Sequence, residues 1–144
     1  MSDEVHDLSG ELVVYAARLV RAVRRLSDSP GAAIRVISLL DEHGPLGVGE
    51  LARIDRCSQP TMSGAVNSLV QRGWVAKTPD PDDARATRVT MTEAGRTELS
   101  RVRSLNADAV AARFATLPDH DVRDLATAVA VLRDLLPHPT EGSL

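Results

Sequence analysis

Aromatic side chains are nearly missing from this sequence: Tyr15, Trp74 and Phe114 are the only three in 144 residues. Modules that hold RNA or single strands stack bases on aromatic platforms, and three scattered rings do not make one. Cysteine is reduced to Cys57, which excludes an internal disulfide and suits a reducing compartment. No apolar run approaches the roughly 20 residues that span a bilayer. The start Met1-Ser2-Asp3-Glu4-Val5-His6-Asp7 is acidic, unlike a signal peptide. A cytoplasmic chain with no membrane partner is therefore expected. The histidines His6, His43, His120 and His138 are dispersed, and none has a His or Cys partner one helical turn away. No metal and no other cofactor is expected on that account. Asp119 and Asp121 flank His120, but this tripeptide reads better as the acidic first turn of a helix. Nucleophile elbow, phosphate-binding glycine loop and paired-carboxylate site are all missing, so no enzyme is expected.

What is present is one domain's worth of ordinary globular composition, 43% hydrophobic and 26% charged. The net charge of −3 looks unsuited to a polyanionic partner until it is divided along the chain. Residues 51–103 hold nine Lys or Arg against six acids, and the remainder is strongly acidic. A local excess is what phosphate binding needs.

That basic stretch contains a helix pair. Gly49-Glu50-Leu51-Ala52-Arg53-Ile54 reads as a short apolar-faced helix, Asp55-Arg56-Cys57-Ser58 as a turn, and Gln59-Pro60-Thr61-Met62-Ser63 as the opening of a second helix. Ser58 can cap it, and Pro60 falls in the first turn, where a missing N–H costs nothing. Met62, Val66, Leu69 and Val70 share one face. The opposite face carries Pro60, Thr61, Ser63, Gly64, Asn67, Ser68 and Gln71, which are small or polar and uncharged. A solvated helix usually places Lys and Glu there. Small donors and acceptors suit the floor of a major groove.

Gly73 closes this helix in the left-handed position, and Trp74-Val75-Ala76-Lys77 reads as a strand. A nine-residue loop, Thr78 to Ala86, holds two prolines and three aspartates. In Thr87-Arg88-Val89-Thr90-Met91-Thr92, Val89 and Met91 alternate with Arg88 and Thr90, the period of a half-buried strand. Arg85 lies near the hairpin tip and Arg88 on its exposed face. Alone this would be an ordinary surface hairpin; after such a helix pair it reads as a wing.

Long helices flank the unit. Leu8, Leu12, Tyr15, Leu19, Ala22 and Leu26 form one seam, with Val13, Val14 and Val20 off it as a second apolar face. Ser29-Pro30 opens a helix through Val36, Ile37, Leu39 and Leu40 that stops at His43-Gly44-Pro45. Thr92 caps another with Leu99, Val102, Leu105, Ala109 and Ala112, and Leu117-Pro118-Asp119 breaks it. A last helix aligns Val122, Leu125, Val129, Leu132 and Leu136, and Pro137-His138-Pro139 ends it. Two such seams fit either an intramolecular bundle or a two-fold dimer; operators are usually two-fold, which favours the dimer. Leu8, Leu12, Leu125, Val129, Leu132 and Leu136 are the interface candidates.

Leu51-Ala52, Ser58-Gln59-Pro60-Thr61-Met62-Ser63, Leu69-Val70, Arg72-Gly73-Trp74-Val75 and Asp83-x-Arg85 leading to Thr90-Met91-Thr92-Glu93-Ala94-Gly95 resemble the multiple-antibiotic-resistance regulator (MarR) family. These motifs are weak singly and specific together, and the resemblance covers nearly the whole chain. It implies a mainly α, α+β winged helix-turn-helix fold. Residues 31–95 would read DNA, and residues 1–30 and 96–144 would form a helical dimerisation region. It implies a homodimeric transcription regulator, most simply a repressor, that binds duplex DNA at a pseudo-palindromic operator and is released by a small-molecule effector or other signal. Ser58, Gln59, Pro60, Thr61, Ser63, Gly64, Asn67, Ser68, Gln71, Arg85 and Arg88 are the DNA-binding candidates. Asp83 and Arg85 would buttress each other in the wing. Many members carry a second basic residue where this chain has Ala84, and Arg88 would supply part of that contact.

The resemblance places an effector cleft between the dimer helices and the reading domain, with Tyr15, Leu19, Ile37 and Phe114 as candidate lining. Cys57 sits beside Arg56 and a helix N-terminus, both of which lower a thiol pKa. A small structural residue remains the favoured reading, since oxidant-sensing members carry their cysteine near the start of the first helix. Two rivals stay open: a winged-helix protein-interaction module without DNA affinity, and a dimerisation domain detached from an enzyme.

Overall fold

A computed structural model describes residues 2–137. The elements run α1 (Asp3–Arg24), α2 (Gly31–His43), β1 (Leu46–Gly47), α3 (Val48–Asp55), α4 (Gln59–Gln71), β2 (Val75–Pro79), β3 (Thr87–Met91), α5 (Glu93–Phe114) and α6 (Val122–Leu135). Local chemistry sets their ends. Ser2 caps α1 by accepting the Val5 N–H at 3.3 Å, with Asp3 and Glu4 in the first turn and Arg21 and Arg24 in the last. Ser58 caps α4 by accepting the Thr61 N–H at 3.2 Å, and Thr92 caps α5 by accepting the Gly95 N–H at 3.1 Å. Gly73 closes the α4 end at φ 75°, the left-handed conformation that glycine adopts without a Cβ clash.

The three strands form an antiparallel sheet in the order β1-β3-β2. Leu46 faces Val89 across β1 and β3, while Val75, Lys77 and Pro79 face Met91, Val89 and Thr87 across the wing. Two sequence expectations change here. The β2 strand runs on through Thr78 and Pro79, so the wing loop is Asp80–Ala86 rather than Thr78–Ala86. β1 went unseen, because two residues cannot display an alternating pattern.

One core holds the winged unit together. Ile37 and Val36 from α2, Leu51 from α3, Met62, Val66 and Leu69 from α4, and Val89 from β3 are essentially solvent-free. Leu46, Val75 and Leu99 join the same cluster, with Ala33, Leu40 and Ala52, so the first turns of α5 belong to the winged unit's core. Gly95 fixes how closely α5 approaches the wing. A Cβ there would lie 2.2 Å from the Trp74 carbonyl oxygen, so only glycine fits. Val70, expected on the buried face of α4, is instead exposed.

Ion pairs tie the loop before α2, and α2 itself, to their neighbours. The Ser29 hydroxyl donates to Glu98, and Arg101 reaches both Glu98 at 2.8 Å and Asp28 at 2.9 Å. Arg103 meets Asp41 at 2.9 Å, and Arg35 donates to both Asp55 oxygens at 2.5 and 3.1 Å. The arginine bonds and the Ser29 hydroxyl hold the Glu98 carboxyl below its ordinary range, against the opposing effect of burial.

The two terminal helices differ from this picture. Neither α1 nor α6 buries a single side chain fully. Leu8, Leu12, Val13, Leu19, Leu125, Val129, Leu132 and Leu136 all remain exposed. Asp121 is the N-cap of α6, accepting the Arg123 N–H at 2.7 Å, so Asp119 and His120 precede the helix rather than forming its first turn. Residues His138 and Pro139, expected to help end α6, lie outside the described residues.

Candidate nucleic-acid interface

With Met62, Val66 and Leu69 packed inward, α4 turns its other side out. Gln59, Pro60, Thr61, Gly64, Asn67, Ser68 and Gln71 are all exposed, as is the capping Ser58, and Ser63 is half-buried at the edge. The expected face is therefore assembled almost as the spacing implied. Two of its hydroxyls are already engaged with each other, since Ser58 donates to the Thr61 oxygen at 2.7 Å. That bond leaves the Thr61 hydroxyl hydrogen free to donate outward. Gly64, in the middle of the face, has open space where a Cβ would stand.

Lys77 was overlooked as a site residue. Its Nζ donates to Asn67 Oδ1 at 2.8 Å, which ties β2 to the α4 face. The signal was present in the alternation of the strand. Val75 and Lys77 point to one side, Val75 into the core and Lys77 past its rim toward α4.

The wing differs from expectation in how its charges are used. Asp83 does not form a side-chain ion pair with Arg85; its Oδ1 accepts the Arg85 backbone N–H at 3.0 Å. Asp80 does the same for the Asp82 N–H at 2.9 Å. These are Asx turns, in which a short carboxylate satisfies the amide two residues on. The wing's ion pair is Arg88 with Asp80, at 3.3 Å between Nε and Oδ2. Its geometry is too oblique for a hydrogen bond, and Arg88 Nε is buried without a partner. Arg88 is thus half-buried and held back, whereas Arg85 is exposed and, among the described residues, in no ion pair. Arg72 is also occupied, its guanidinium 5.1 Å from the centre of the Trp74 ring.

Among the described residues, no group of three or more His, Cys, Asp or Glu could hold a metal ion, and no helix is long and apolar enough to cross a membrane. Cys57 is half-buried at the turn before α4.

A family model described as the MarR family matches residues 32–87, from α2 to the end of the wing loop. Over that stretch this chain is similar to the MarR family. A helix-turn-helix transcriptional regulator from Mycobacterium tuberculosis is 29% identical over 135 residues, 92% of this chain and 94% of that one. The transcriptional repressor IacR of Pseudomonas putida is 26% identical over 118 residues, 82% of this chain and 70% of its own. Among solved structures, a MarR family protein from Bacillus stearothermophilus superposes with a TM-score of 0.73 at 22% identity. The match covers 94% of this chain and 95% of that chain. Wild-type MarR from E. coli, in its apo form, gives 0.67 at 20% identity, covering 92% and 96%. These likenesses establish the winged helix-turn-helix fold. The curated relatives carry the names of helix-turn-helix transcriptional regulators, and their likeness to this chain extends over most of its length.

The four residues expected to line an effector cleft are not brought together in one cavity. Ile37 is fully buried in the winged core. Tyr15 and Leu19 are exposed on α1, and Phe114 is half-buried at the end of α5. A cleft of about 250 Å³ lies where α1, α2 and α5 meet. Val20, Val23, Ile34 and Val102 supply its apolar wall, and Arg24, Arg35, Ser38 and Asn106 its polar one. Asn106 Oδ1 is buried there without a donor. Sequence spacing had marked Val20 and Val102 as apolar but could not bring them together.

Proposed function

We propose that this chain is a homodimeric repressor of the MarR type that reads a pseudo-palindromic operator with two copies of α4. The observation that carries the reading is the outer face of α4. It is exposed, uncharged and hydrogen-bonding, its central Gly64 is open for close approach, and the wing's Arg85 is exposed as well. The exposed apolar faces of α1 and α6 support the dimer. In it, residues 1–30 and 96–144 form the pairing region, with Leu8, Leu12, Leu125, Val129, Leu132 and Leu136 across the axis, and residues 31–95 read DNA. A surface of that kind left in water is costly, and isologous pairing removes it. The cleft between α1, α2 and α5 is where a small effector would act, because it lies between the pairing helices and the reading unit. Occupying it changes the spacing of the two α4 helices and so releases the operator.

Selection of binding sites from random duplexes, followed by titration at two salt concentrations, tests the proposal. The expected result is a motif of two inverted half-sites about one helical turn apart, bound by a dimer with affinity that falls as salt rises. Recovery of no preferred duplex, or tight binding by a monomer, would overturn it.

A further inference from the structure

Lys77 and Asn67 form a bond that constrains what α4 can read. An ammonium group has three donors and no acceptor, so the Asn67 amide must turn its oxygen toward Lys77. The observed contact, Nζ to Oδ1 at 2.8 Å, is that arrangement. Asn67 lies on the exposed outer face of α4, one turn beyond Gly64 and beside Ser68, so its amide is available to an external partner. What it presents outward is its NH₂ group, and next to it stands the rest of the Lys77 ammonium. Donor sits beside donor, and positive charge sits beside both.

An unconstrained asparagine pairs with adenine by using both ends, donating to N7 and accepting from the N6 amino group. With the ammonium against its oxygen, the pair repels an amino group and attracts acceptors. Guanine offers two acceptors, N7 and O6, on its major-groove edge. Thymine offers one, and cytosine presents a donor. We infer that Lys77 is a specificity-determining residue that turns Asn67 from an adenine reader into half of a guanine-reading donor pair. This rests on the proposal that α4 enters a major groove, and the experiment separates the two.

The test is site selection from random duplexes with the full chain in three forms: wild type, Asn67→Ala and Lys77→Met. Methionine keeps the length of the side chain and removes its charge. The position whose base preference disappears in Asn67→Ala is the one that Asn67 reads. At that position the wild type should select guanine, by about fivefold to 150-fold over adenine, the range for a good paired contact. Lys77→Met should lose that preference and shift toward adenine, while unfolding at the wild-type temperature. Competition with a duplex carrying 7-deazaguanine at that position should show weakened binding for the wild type and little change for Lys77→Met. Adenine at that position in the wild type overturns the inference. So does a Lys77→Met protein that binds all sequences more weakly with guanine still selected, which would make Lys77 a phosphate anchor. A wild type that selects no duplex at all fails the proposed function and this inference together; in the two earlier outcomes operator reading survives and only the inference falls.

Discussion

Gly64 offers a way to separate folding from binding with a single substitution. It lies inside α4, on the outer face, and a Cβ added there meets nothing within 4 Å. The protein's own packing therefore does not require glycine. In a helix interior glycine costs about 0.5–1 kcal/mol relative to alanine, because it loses more backbone freedom on folding. Gly64→Ala should accordingly stabilise the chain by about that amount, raising Tm by about 1–4 °C for a domain of this size. Gly64→Leu, also a good helix former, should keep much of that gain. Binding should move the other way. A leucine at the centre of the face props α4 away from the groove floor and weakens the contacts of Thr61, Asn67 and Ser68, each worth about 1–3 kcal/mol when well made. We expect Gly64→Leu to lose at least about tenfold in operator affinity, equivalent to losing about 1.4 kcal/mol, with weak salt-dependent binding left behind. Thermal unfolding and fluorescence anisotropy on the selected operator measure the two effects. A leucine variant that binds as tightly as the wild type would show that this face does not lie in a groove, and the reasoning would fail.

Gly95→Ala should be the reverse case: its Cβ would overlap the Trp74 carbonyl, and overpacking against backbone should cost about 1–3 kcal/mol in chemical denaturation. An unchanged midpoint would show that α5 can move off the wing freely. Leu132→Asp should weaken dimerisation and operator binding together, measured by sedimentation and anisotropy; an intact dimer would remove α6 from the interface. Glu98 has a folded pKa below its ordinary 4.5, so its contribution is present above that value and fades as pH falls through the folded one. Glu98→Gln should therefore reduce the stability difference between pH 7 and acid, and an acid limb as steep as the wild type's would refute this role. For Asp83, asparagine keeps an acceptor for the Arg85 N–H while alanine does not, so Asp83→Ala should weaken operator binding and Asp83→Asn should preserve or improve it. Equal gains in both would make Asp83 merely a repulsive charge.

Most of the reading unit was legible because its signals are local. Ser58 and Thr92 announce helix starts through side chains that satisfy amides three residues on. Gly73 announces a helix end through its positive φ, and Met62, Val66 and Leu69 announce the core face through their spacing. Features built across long sequence separations were not legible. Leu46 pairs with Val89, and nothing near Leu46 says so. Ile37 was offered as effector-cleft lining on the family resemblance, and it lies in the winged core. Periodicity, however, does not distinguish a residue facing the winged core from one facing the next helix. Gly95 was noticed only as part of a motif; its reason, the Trp74 carbonyl, appears only when α5 and the wing are docked.

The wing shows why proximity in sequence can mislead even when the residues are correctly chosen. Asp83 and Arg85 are two apart, which invites an ion pair. Two residues is also the spacing at which a short carboxylate bonds the following backbone amide, and that interaction needs no long side chain to be ordered. Holding an arginine in place at an exposed hairpin tip costs rotamer entropy of about 1.5–2 kcal/mol, whereas an exposed ion pair returns about 0–1 kcal/mol. The Asx turn is therefore favoured, and Asp80 follows the same rule with Asp82. Arg88 escapes it because it sits on a strand, where its backbone is already ordered and its guanidinium can lean on Asp80 with little further loss. The roles expected of the two arginines are thereby exchanged. Arg85 is, among the described residues, the wing's cation without an ion pair, and Arg88 is the strut that offsets the negative charge of Asp80.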